Sequence, residues 1–130
     1  MVRFDTGTGE LRRISVVTAG QNPSFLAIHP RGHTLYAVNE TTEWEGKPAG
    51  GVTALDIAPT TGELTTLGHQ SSEGGAPCYI SIDRAGRVAL VANYVGGSVA
   101  ILPILDGTLR RASHVVQHTG QGPNAERQDA

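Results

Sequence analysis

A chain of 130 residues and 13.6 kDa has the length of one ordinary domain, and its 10 basic and 12 acidic side chains leave a formal charge of -2. That balance excludes a charge-driven nucleic-acid surface, no apolar run is long enough to span a bilayer, and the single cysteine, Cys78, excludes an intramolecular disulfide scaffold. Seventeen glycines, well above the roughly 7% usual in globular proteins, exclude a helical bundle, because each glycine inside a helix costs about 1 kcal/mol relative to alanine.

What remains is a turn-rich β protein. In chain order, Val2-Arg3-Phe4-Asp5 and Leu11-Arg12-Arg13 read as a short strand pair around the turn at Gly7-Thr8-Gly9. Four strands are then predicted at 24–29, 33–40, 51–58 and 63–70, and four more at 78–83, 87–94, 97–104 and 108–117. Each is rich in aliphatic and β-branched residues and bounded by turn residues. His29-Pro30-Arg31-Gly32 and Asp83-Arg84-Ala85-Gly86 read as tight turns with glycine last, where a positive φ is tolerated. His29, His33 and His69 fall in turns or at strand edges and read as solvated. His114 and His118 lie on an outer strand, where a four-residue spacing spans roughly 13 Å, so no metal site is expected. The first ten residues carry no apolar segment of signal-peptide length, which favours the cytoplasm.

The two sets of four strands are copies of one unit. Pro23 and Pro77, Gly32 and Gly86, and Asn39 and Asn93 coincide at one offset, since 77 − 23, 86 − 32 and 93 − 39 each give 54. Val52-Thr53-Ala54-Leu55-Asp56-Ile57 matches Val99-Ala100-Ile101-Leu102-Pro103-Ile104 at a shorter offset, 99 − 52 = 47, which puts an insertion within 41–50. Gly-x-Leu closes each unit at Gly9, Gly62 and Gly107. Four antiparallel strands repeating every ~40–50 residues are the signature of a β-propeller blade. The phase gives the end of one blade at 1–18, full blades at 19–71 and 72–117, and the start of a fourth at 118–130. About two and a half blades do not close a ring, so further blades or self-association are expected to cover the open faces.

The stretch Pro77 to Asn93 followed by Tyr94-Val95-Gly96-Gly97-Ser98-Val99, together with Gly120-Gln121-Gly122-Pro123-Asn124-Ala125-Glu126-Arg127-Gln128, resembles the 6-phosphogluconolactonase family of seven-bladed propeller lactonases. The resemblance implies an all-β, seven-bladed lactonase-type propeller that hydrolyses 6-phosphogluconolactone to 6-phosphogluconate in the pentose phosphate pathway. It implies no metal and no cofactor, with a sugar lactone as small-molecule partner, while the charge balance and the short apolar runs give no nucleic acid and no membrane as partners. Such chemistry needs a general base for water, positive charge for the phosphate and the developing oxyanion, and polar groups for sugar hydroxyls. Glu126 and Arg127 are the candidate catalytic pair: the planar fork of Arg127 suits a phosphate or carboxylate, and Glu126 either orients it or acts as base. Asn39, Asn93, Tyr94 and Gln128 are the candidate substrate-binding residues, with both asparagines at equivalent ends of second strands.

Each assignment has a plainer alternative. Asparagines at strand ends often form turns, and Glu126 with Arg127 makes a surface ion pair as readily as a site. Two other functions fit the scaffold, a non-catalytic binding platform and a muconate-type lactonizing cyclase.

Overall fold

The computed structural model describes residues 1–124 and Glu126. Among the described residues there is no helix. The strands are β1 (Val2–Phe4), β2 (Leu11–Arg13), β3 (Pro23–Ile28), β4 (Thr34–Asn39), β5 (Gly51–Ile57), β6 (Leu64–Ser71), β7 (Pro77–Ile82), β8 (Val88–Asn93), β9 (Ser98–Leu105), β10 (Thr108–Leu109) and β11 (His114–Gln117). They form three antiparallel sheets: the β1-β2 hairpin, an earlier full blade in the order β3-β4-β5-β6, and a later blade in which β7-β8-β9 are followed by β10 and β11, both paired to β9.

The period-two alternation decides what packs where. Tyr36, Val38, Val52 and Ala54 project from one face of the earlier blade onto Ile80, Val91, Ala100 and Leu102 of the later one, and all eight are buried. Burying a side chain such as Val91 or Leu102 stabilises the pair of blades by about 1.5–3 kcal/mol. The opposite face of the earlier blade buries Leu35, Ala37 and Leu55 under Val17 and Ala19, from the segment that precedes β3. The outward face of the later blade leaves Tyr79, Leu90 and Val116 at 50%, 40% and 46% exposure.

Two polar ties fasten the blades at the ends of strands. The Tyr36 hydroxyl donates to Gly107 O at 2.9 Å, and desolvation pushes the phenol's pKa up to about 12 against an opposing hydrogen bond with the Thr34 side chain. His29 Nε2 lies 2.9 Å from Gly86 O, and Arg31 N–H donates to His29 Nδ1 at 3.2 Å. With Nδ1 accepting, the proton sits on Nε2 and is donated across the blade boundary. This corrects the reading of His29 as a solvated turn residue: it is buried, at 9% exposure. At the matching turn of the later blade, Asp83 does the local part of the job alone. Its carboxylate accepts from Ala85, Arg87 and Val88 N–H. Those bonds, led by Val88, hold its pKa below the ordinary value.

The expected outer strand 108–117 is broken into β10 and β11. Ile104 N–H donates to Arg87 O on the β8 side, so its neighbour Pro103 faces the outer strand, where a proline has no N–H to give. Arg110 N–H donates to Pro103 O and the next outer bond runs from Ser113 N–H to Ile101 O, which leaves Arg111 and Ala112 outside the ladder, with Ala112 packed against the core.

Candidate functional site

One row of residues crosses each blade at the same end. In the earlier blade Pro23, Asn39, Gly51 and Ser71 are successive partners; in the later blade the row is Pro77, Asn93, Ser98 and Gln117. Residues 18–22, 40–50, 72–76, 94–97 and 118–124 therefore all emerge on one face. The connections hold each other through the backbone: Gly50 N–H donates to Gly74 O, Ala76 N–H to Thr41 O, Tyr94 N–H to Ala76 O and His118 N–H to Gly97 O.

The asparagines sit beneath these loops. Asn39 is fully buried; its Nδ2 donates to Ala19 O at 2.6 Å and its Oδ1 accepts from the Thr53 hydroxyl at 2.8 Å. Asn93, at 3% exposure, donates from Nδ2 to Ser72 O at 2.9 Å and to Ser98 Oγ at 3.1 Å. Each amide thus grips the chain some twenty residues upstream, between the preceding outer strand and the first strand of its own blade. The two differ in one respect. Among the described residues Asn93 Oδ1 has no hydrogen-bond partner, because the position that carries Thr53 opposite Ala37 carries Ala100 opposite Val91.

Tyr94 follows Asn93 and stands 58% exposed on the loop face. Glu126 lies in an exposed turn, and Arg127 and Gln128 lie outside the described residues. The structure thus brings Asn39, Asn93 and Tyr94 to one end of the blades, with the asparagine side chains turned to the loop backbone and the phenol turned outward. Among the described residues no three His, Cys, Asp or Glu side chains gather as metal ligands.

The insertion that the repeat offsets place within 41–50 was given no role from the sequence. Trp44 and Lys47 exchange backbone hydrogen bonds of 2.9 and 3.0 Å around Glu45 and Gly46, both at positive φ (51° and 75°). This is a two-residue hairpin of the primed type. The indole lies against Gly51, where any Cβ would collide with its six-membered ring. The signal available in the sequence was Glu45-Gly46 inside the seven-residue excess.

The sequence profile of the family described as "Lactonase, 7-bladed beta-propeller" matches residues 1–130. The chain belongs to this family. Within it, the chain is 38% identical over 109 residues to the 6-phosphogluconolactonase of Bacillus subtilis, covering 83% of this chain and 30% of that protein. A candidate 6-phosphogluconolactonase from Bacteroides uniformis superposes with a TM-score of 0.87 at 34% identity, over 98% of this chain and 35% of that one. The periplasmic gluconolactonase PpgL of Pseudomonas aeruginosa gives 0.79 at 33% identity, over 91% and 34%. The chain spans about a third of the length of these relatives. No helix among the described residues is long and apolar enough to cross a membrane.

Proposed function

We propose that the protein to which this chain belongs hydrolyses 6-phosphogluconolactone to 6-phosphogluconate, as a step of the pentose phosphate pathway in the cytoplasm, where charge confines a phosphorylated sugar. The observation that carries the reading is the Gly-x-Gly-Pro-Asn-x-Glu-Arg-Gln run ending at Gln128, in a chain 38% identical to a 6-phosphogluconolactonase.

In this reading water adds to the lactone carbonyl and the ring C–O bond then breaks, the departing alkoxide taking a proton. Glu126 takes the proton from water or aligns Arg127. Arg127 neutralises the phosphate or the oxyanion as charge develops. Tyr94 offers a phenol to the sugar, and Gln128 supplies an amide for its hydroxyls. Asn39 and Asn93 act as positioning residues, holding the loops from below. No metal or cofactor takes part.

The test uses the full-length gene product and freshly prepared lactone, with acid release followed at neutral pH against spontaneous opening. Catalysis well above background is expected, with Arg127→Ala lowering kcat/KM by about 10²-fold or more. A rate no faster than spontaneous opening overturns the proposal. Running glucono-δ-lactone beside the phosphorylated lactone sets the substrate class, the question raised by the gluconolactonase relative.

A further inference from the structure

The insertion at 40–50 builds a cleft that the lactonase reading does not use. Its volume is about 630 Å³, and its walls include Gln21, Glu43, Trp44, Glu45, Thr66 and His69. That is within the usual 300–1,000 Å³ of a small-molecule site. The aromatic wall is fixed in advance, while the Glu45 side chain is 73% exposed. Trp44 is held by the closed hairpin and by its seat on Gly51, and the His69 ring meets it edge-on with centroids 5.6 Å apart. Glu45 Oε1 lies 4.0 Å from His69 Nε2. Glu45 keeps a left-handed backbone at φ 51°, where asparagine or glycine is the unstrained choice.

We infer that this cleft binds a neutral sugar or polyol, with Trp44 as the flat apolar platform and Glu43 and Glu45 as acceptors for adjacent hydroxyls. A sugar presents a C–H face and a ring of hydroxyls that both donate and accept. The indole suits the first. Carboxylates accept short, charge-assisted hydrogen bonds from hydroxyls, while the Gln21 amide and the Thr66 hydroxyl supply donors. Among the described residues no lysine or arginine lines the cleft, so its two carboxylates repel a phosphate or a sugar acid. A single aromatic wall among polar groups also fits an organic cation less well than an aromatic cage does. The inference stands apart from the lactonase proposal: a chain that binds sugar here leaves it intact even if the full-length protein hydrolyses no lactone.

The chain has one tryptophan, Trp44, so its emission reports the cleft directly. Titration with methyl β-D-glucoside is expected to give a saturable fluorescence change with a half-point in the millimolar range, and 6-phosphogluconate and tetramethylammonium a response at least tenfold weaker. Glu43→Gln, on an exposed position, should weaken the glucoside at least fivefold with the urea midpoint unchanged. Thr66→Val tests the opposite wall the same way. No saturable response to the glucoside, or tighter binding of 6-phosphogluconate or of the cation, overturns the inference.

Discussion

Replacing Thr53 with valine removes one hydroxyl and nothing else of size, since both side chains are β-branched with three heavy atoms. Thr53 is 3% exposed and Asn39 fully buried, so the substitution leaves Asn39 Oδ1 buried without its 2.8 Å donor. An orphaned buried acceptor costs about 1–3 kcal/mol, and the added methyl recovers up to ~0.8 kcal/mol by burial. With a mid-range cost of about 2 kcal/mol, a net loss of about 1 kcal/mol is expected, a fall in Tm of roughly 2–8 °C for a chain of this size. Urea unfolding of the purified chain, read by Trp44 emission and by circular dichroism, measures it. The partner control is Asn39→Ala, which also frees Ala19 O. If the hydroxyl acts through Asn39, Thr53→Val costs less in that background, with a coupling of about 0.5–3 kcal/mol. A Thr53→Val chain within about 0.3 kcal/mol of the parent, or full additivity with Asn39→Ala, refutes the loop-anchor role and returns Asn39 to the substrate.

Gly86→Ala is expected to destabilise by at least about 2 kcal/mol, because φ is +69° and the new Cβ meets the His29 ring; His29→Ala should relieve part of that loss, and equal cost in both backgrounds would deny the contact. Asp83 has a lowered pKa in the folded chain, held first by Val88 N–H, so its contribution is present above the ordinary carboxylate value and is lost as pH falls through the folded one. Urea midpoints from about pH 6 to pH 2 should therefore fall less steeply for Asp83→Asn than for the parent, and parallel curves would contradict the assignment. The outward face of the later blade, with Tyr79, Leu90 and Val116 exposed, should drive concentration-dependent self-association of the isolated chain. Light scattering checks it: Leu90→Lys should shift the population toward monomer, and a parent that is monomeric at all concentrations refutes the idea.

The blades were legible because two local signals agreed. Period-two apolar alternation marked the strands, and the paired turns at Gly32 and Gly86 marked their ends. What escaped depended on neighbours in space. The break between β10 and β11 is caused by Pro103 on the adjoining strand, not by anything within 108–117. His29 reads as a turn residue until the next blade lays Gly86 O against it. At the loop face the positions of Asn39, Asn93 and Tyr94 were legible as motif, while the grip of each asparagine was not, since Ala19 and Ser72 lie far upstream. The cleft at Trp44 belongs to the insertion, where the repeat offers no counterpart for comparison.

Residues 94–97 make the same passage in the later blade that 40–50 make in the earlier one, although the second is much longer. Both begin just after a buried asparagine amide and end at its cross-strand partner, Gly51 or Ser98. The stem of each loop is thereby clamped inside the sheet, and its length is free to drift. Mutation can lengthen, shorten or rewrite one such crossing with little disturbance to the packing of Tyr36, Val38 or Leu102 below. A lineage built this way can change what it recognises one loop at a time while its scaffold stands still.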